Sequence, residues 1–147
     1  MKKILAIDYG DVRVGLAMSD MTNTIATGLD TLVINGNVKL LIRSIKEIVE
    51  QHDITNIVIG YPKNMNGTLS EKTEQVDKLI DKLKKEINDI NVIKWDERLT
   101  TVMAYNTMKE LGIKQKQRNK YADKLAATRI LQDYMDSSNW YIKDYYL

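Results

Sequence analysis

The sequence has no cysteine, a single histidine (His52) and a single proline (Pro62) among its 147 residues. Without thiols it can build no disulfide scaffold, no zinc knuckle and no cysteine nucleophile. Any metal ion must then be held by oxygen ligands or by His52. Long apolar runs are missing too, and nothing in the chain reads as a bilayer-spanning helix. Lys2 and Lys3 precede a short apolar run, but that run reaches Asp8 after four residues. No small-residue cleavage site follows, so a secretory signal is not expected and the expected location is the cytoplasm, with no membrane partner. Repeats and low-complexity tracts are absent as well.

What is present is the composition of a globular protein, with 44% hydrophobic and 29% charged residues. One domain spanning 1–147 is expected, large enough to bury roughly 68–70% of its unfolded surface without staples. The net charge of +2 is unevenly spread. From Lys109 to Arg129, seven basic residues (Lys109, Lys114, Lys116, Arg118, Lys120, Lys124, Arg129) face only Glu110 and Asp123, a local +5 that leaves −3 for the remainder. Such asymmetry suits a protein that meets a polyanion through one face.

Lys3–Ile7 and Arg13–Met18 read as two strands of a hairpin joined by Tyr9-Gly10-Asp11, with Gly10 free to take positive φ. A third strand is expected over Ile25–Ile34, ended by the turn dipeptide Asn35-Gly36. From Val38 to Gln51, apolar residues at Val38, Leu41, Ile42, Ile45, Ile48 and Val49 mark an amphipathic helix. Ile54–Ile59 is a continuous strand covered on both faces, broken by Gly60-Tyr61-Pro62. A second helix carries Val76, Leu79, Ile80, Leu83 and Ile87, and Ile90–Trp95 is the last strand. Thr100–Leu111 is helical and stopped by Gly112, and a basic loop at Ile113–Lys120 leads into a helix from Tyr121 to about Met135. The order predicts an α/β fold with one mixed five-stranded sheet and helices packed on both faces.

Three carboxylates stand out by position. Asp8 ends an apolar strand, where open α/β sheets place their ligands, although a turn acceptor is the plainer explanation. Asp96 and Glu97 close the last strand, and because alternate side chains point to opposite faces only one of them shares a site with Asp8. The other is expected to cap the following helix or to pair with Arg98. Asp123 opens the last helix beside Ala126 and Ala127, whose small side chains let that helix approach the sheet closely. Acids drawn together repel unless a cation lies among them, so Mg²⁺ or Mn²⁺ is the expected cofactor. Acids that hold divalent ions, beside a basic track, suit phosphodiester hydrolysis. Arg98 is a candidate phosphate clamp, with Lys114, Lys116, Arg118 and Lys120 tracking the strand, and Gly10 and Gly15 permitting close backbone approach. His52 is expected to be a surface residue, and Asp11 and Asp20 to be turn residues.

These segments, "ILAIDYGDVRVGLAMSD", "IVIGYPKNMNGT", "WDERLTT" and "YADKLAATRILQDYM", resemble in order and spacing the YqgF family of RNase H-like proteins. Holliday junction resolution and pre-16S ribosomal RNA cleavage are both ascribed to that family. The resemblance implies an RNase H-like sheet, a nuclease acting in ribosomal RNA maturation, and an acidic triad of Asp8, Glu97 and Asp123 that both catalyses and binds metal. Its implied partners are pre-rRNA or branched DNA and ribosomal precursors, with the protein a monomer or homodimer. Tyr61 stands where relatives usually carry leucine, and Ala122 where a branched apolar residue is common. Alternatives are a junction-cutting DNA endonuclease and a non-catalytic nucleic-acid-binding factor. Asp8-Tyr9-Gly10-Asp11 before a hairpin also resembles the phosphate loop of actin-like and sugar-kinase ATPases, but those close two such domains over a nucleotide.

Overall fold

The alternation of side chains along each strand explains how the layers form. The computed structural model describes residues 2–64, 66–96 and 125–137. The predicted helix at Thr100–Leu111 and the basic loop at Ile113–Lys120 lie outside them. β1 (Ile4–Asp8) and β2 (Arg13–Ser19) pair antiparallel, with Ala6 opposite Ala17 and Asp8 opposite Gly15. The predicted third strand is split into β3 (Ala26–Gly28) and β4 (Leu32–Val33), both paired with β2 at different points along it. The sheet therefore has six strands where five were expected. The interruption falls at Leu29-Asp30-Thr31, where Leu29 donates its amide to the Leu16 carbonyl (2.8 Å) as the chain moves along β2.

α1 (Val38–His52) begins at an Asn37 cap whose side chain accepts from the Leu40 amide, and it ends with Asp53 in the left-handed conformation (φ 53°). His52 is the helix's last residue and is only partly exposed. β5 (Asn56–Tyr61) runs two residues past the expected break, because it is Pro62, with no amide proton to donate, that closes the ladder. α2 (Glu71–Glu86) starts at a capping box in which Ser70 and Thr73 satisfy each other's amides. β6 (Asn91–Asp96) pairs parallel with β5. The sheet order is β3-β2-β1-β5-β6, with β4 beside β2, so β1 is central.

Leu5, Ile7, Ile57 and Ile59 point to one side of the sheet and pack on Leu41, Ile45 and Val49 of α1 and Val76, Leu79, Ile80 and Leu83 of α2. Ile4, Ala6, Ala17 and Val58 point to the other and pack on Ala127, Ile130, Leu131 and Met135 of the helix at 125–137. Each fully buried aliphatic side chain in these layers contributes about 1.5–3 kcal/mol of transfer free energy. Helices on both faces were expected, and two-sided burial explains why β1 and β5 read as continuous apolar runs. Among the described residues no helix is long and apolar enough to cross a membrane.

Candidate active site at the carboxyl end of the sheet

Counting by twos from Ile4 and Ala6 places Asp8 on the face covered by the helix at 125–137. It is the last residue of the central strand and is partly buried. Its opposite number on β2 is Gly15. On β5, Ile59 lies beside Ile7, so the next residue, Gly60, lies beside Asp8, and alternation from Val58 puts Gly60 on the same face. Both strands flanking β1 thus present glycine at the level of the carboxylate. Gly60, read from sequence as a strand breaker, is part of this floor. The missed signal was its even spacing from Val58.

Asp96 was the open choice beside Glu97. Trp95 packs with the layer of the helix at 125–137, its ring meeting that of Tyr134 edge-on with centroids 5.8 Å apart. Lys94 reaches the other layer, where its ammonium lies 2.7 Å from Asp77 of α2. Alternation then gives Asp96 the Lys94 side, opposite the face that carries Asp8.

Gly10 does not take the positive φ expected of it; among the described glycines that conformation belongs to Gly36 and Gly67. Its requirement is steric, since a Cβ there would lie 2.3 Å from the Arg13 carbonyl oxygen. The loop is tied down by the Ile34 and Asn35 amides, which donate to the Val12 carbonyl (2.8 and 3.2 Å), and by the Gly36 amide, which donates to Asp11 (2.6 Å). Asp11 also meets Lys72 of α2 at 3.7 Å, and that ammonium sits 5.5 Å from the centroid of the Tyr9 ring. Burial, followed by the nearby Asp11 charge, raises the Tyr9 phenol above its ordinary value.

Asp20 is the turn residue it was expected to be. It accepts from the Thr22 hydroxyl (2.5 Å) and from the Thr24 and Ile25 amides (2.8 and 3.1 Å), which hold its carboxyl well below the usual range. It follows the last residue of β2, at the end of the sheet opposite Asp8.

Ala126 and Ala127 are fully buried, and Ala127 belongs to the same packed layer as Ala6 and Ala17, so small residues stand on both helix and sheet there. Gln132 fixes the helix to the sheet edge, accepting from the Ala26 amide (2.9 Å) and donating to the Thr24 carbonyl (2.8 Å). Of the candidate triad the described residues include Asp8 alone. Glu97, Asp123, Arg98, Lys114, Lys116, Arg118 and Lys120 lie outside them. No group of three or more His, Asp or Glu residues able to hold a metal occurs among the described residues.

The family model for RuvX, described as "Holliday junction resolvase", matches residues 2–137. The chain belongs to the RuvX family. Two relatives named "Putative pre-16S rRNA nuclease" are similar to this RuvX chain. The protein of Acetivibrio thermocellus is 44% identical, covering 92% of this chain and 96% of its own length. That of Ruminiclostridium cellulolyticum is 45% identical, covering 91% and 94%. Among solved structures, RuvC of T. thermophilus in complex with a Holliday junction substrate superposes with a TM-score of 0.57 at 15% identity, over 94% of this chain and 96% of that one. The fowlpox virus resolvase with substrate Holliday junction DNA gives 0.52 at 14%, over 92% and 97%. Similarity at that identity establishes the shared RNase H-like fold of the RuvX chain.

Proposed function

We propose that this RuvX-family chain, folded as one domain over 1–147, is a metal-dependent nuclease that cleaves structured nucleic acid in 5′-end maturation of pre-16S ribosomal RNA. The observation that carries the reading is Asp8, a carboxylate at the end of the central strand with glycine on either side of it. The naming of relatives at 44–45% identity supports ribosomal RNA as the substrate. The family description supports a second reading, cleavage of branched DNA.

The donor chemistry fits Mg²⁺ or Mn²⁺, since Asp8, Glu97 and Asp123 offer only hard oxygen ligands. A bound divalent ion would activate water and stabilise the leaving oxygen of an in-line displacement. Asp8 would hold that ion at the strand end, with Glu97 and Asp123 completing the set. The placement of Asp96 on the opposite face supports Glu97 as the ligand of that pair. Gly15 and Gly60 add no side chain of their own beside the carboxylate. Arg98 would clamp a phosphate, and Lys114, Lys116, Arg118 and Lys120 would track the backbone, so binding should weaken steeply as salt rises.

The test is incubation of the purified protein with precursor 16S RNA and with a four-way DNA junction, each with Mg²⁺ or Mn²⁺. The wild type should cut the RNA, chelation by EDTA should stop it, and Asp8→Asn should lose the activity while keeping its fold by circular dichroism. Cleavage of the junction alone would favour the second reading. Cleavage that survives Asp8→Asn would refute the assigned centre, and binding with no cleavage of either substrate would leave a non-catalytic binding factor.

A further inference from the structure

On the side of the sheet away from the helix at 125–137, a cavity of about 120 Å³ opens between the start of α1 and the middle of α2. It is lined by Tyr9, Val38, Gln75, Lys78, Leu79 and Lys82. Tyr9 directly follows Asp8, so this cavity lies one residue of chain from the proposed centre.

The charges of α2 are only partly sorted around its axis, with Glu71 and Glu74 of its first turn on the same side as Lys78 and Lys82. Asp77 turns toward β6 and binds Lys94 at 2.7 Å, and Asp81 also acts on Lys94. Lys78 and Lys82 turn the other way, into the cavity, in line with Lys72 above Tyr9. Asp11 meets Lys72 at 3.7 Å, and Glu74 approaches Lys78 at 4.0 Å as an exposed pair of the kind that contributes little. The first turn of α1 adds no acid to the opposite wall. Ten residues separate Lys72 from Lys82, about 15 Å along a helix, which spans about four nucleotide steps of one strand in a duplex.

We propose that this groove is a second nucleic-acid contact, in which Lys72, Lys78 and Lys82 take backbone phosphates spaced along one strand of substrate that passes the Asp8 centre. The inference rests on the nuclease reading and extends it. The α2 lysines would hold a second arm of a branched or folded substrate, in addition to the backbone contacts proposed for Lys114, Lys116, Arg118 and Lys120. A row of point charges with one half-buried ring positions a backbone without reading bases.

The test is equilibrium binding in the Asp8→Asn background, at several salt concentrations, of a fluorescent four-way DNA junction and of a precursor 16S RNA fragment. Lys78→Gln/Lys82→Gln should weaken binding and make the slope of log K against log salt shallower by about 1 for each lysine that contacts a phosphate. Lys2→Gln/Lys46→Gln removes the same charge from a separate pocket lined also by Asp53 and Glu86, and should leave the slope nearly unchanged. Equal losses in both pairs, or no change in the first, would overturn the proposal. Binding is read here without cleavage, so a wild-type protein that binds both probes and cuts neither would defeat the nuclease reading and leave the groove standing.

Discussion

One hydrogen atom in place of a methyl group decides the geometry next to Asp8. A Cβ on Gly10 would sit 2.3 Å from the Arg13 carbonyl oxygen, which is backbone and cannot swing aside. Gly10→Ala should therefore destabilise the protein by about 1–3 kcal/mol, as overpacking does, measured as a lower urea midpoint at unchanged slope. Cleavage should fall further than stability alone explains, because the loop that yields begins one residue after Asp8. The sequence showed that glycine mattered here but suggested φ as the reason, since a contact with a carbonyl three residues on is invisible without coordinates. Asp8 itself was legible, because an acid ending an apolar strand is rare enough to notice. Gly60 was not, since its meaning depends on the register of β5 against β1.

At the scale of elements, three side chains add a polar link between β5, α2 and β6 to their apolar packing and strand pairing. The Tyr61 hydroxyl donates to Asp77 (2.9 Å), and Lys94 binds the other oxygen of that carboxylate while lying 4.8 Å from the centroid of the Tyr61 ring. Lys94 holds the Asp77 carboxyl below its ordinary value, opposed by burial and assisted by Tyr61. A depressed carboxyl stabilises the fold above its unfolded pKa of about 3.9, and that contribution is lost as pH falls through the lower folded value. Asp77 also raises Lys94, a gain present below the unfolded lysine pKa of about 10.4 and lost as pH climbs through the folded one. Both groups are partly exposed, 48% for Lys94 and 40% for Asp77, so solvent screening leaves the ion pair worth only about 0.5 kcal/mol. Lys94→Met should accordingly flatten the acid limb of a stability-against-pH curve by about that amount. Tyr61→Phe removes a bond from a side chain only 7% exposed and should cost about 1 kcal/mol at neutral pH. α1 and α2 were readable from apolar spacing alone. The division of the third strand into β3 and β4 was not, because its β-favouring residues carry no mark of where β2 ceases to pair with one and starts to pair with the other.

For the whole molecule, the determining feature is a sheet buried unequally on its two sides. The α1 and α2 side is filled by large aliphatic residues, whereas the other pairs Ala6 and Ala17 with Ala127 on the covering helix. Small residues there set how near the helix at 125–137 lies to β1, and the proposed Asp123 ligand precedes that helix by two residues. Ala127→Leu would force additional carbons into a fully buried position with no partner able to shrink. The expected result is a loss of about 1–3 kcal/mol with the secondary structure retained, together with a sharp fall in metal-dependent cleavage even at temperatures where the variant is fully folded. Leu125→Ala, at a position 40% exposed on the same helix, removes apolar area without touching the interface and should leave both readings near the wild type. If Ala127→Leu lost stability but kept full activity per folded molecule, the close approach of helix and sheet would be a packing feature only, and Asp123 would not depend on it for its place in the metal site.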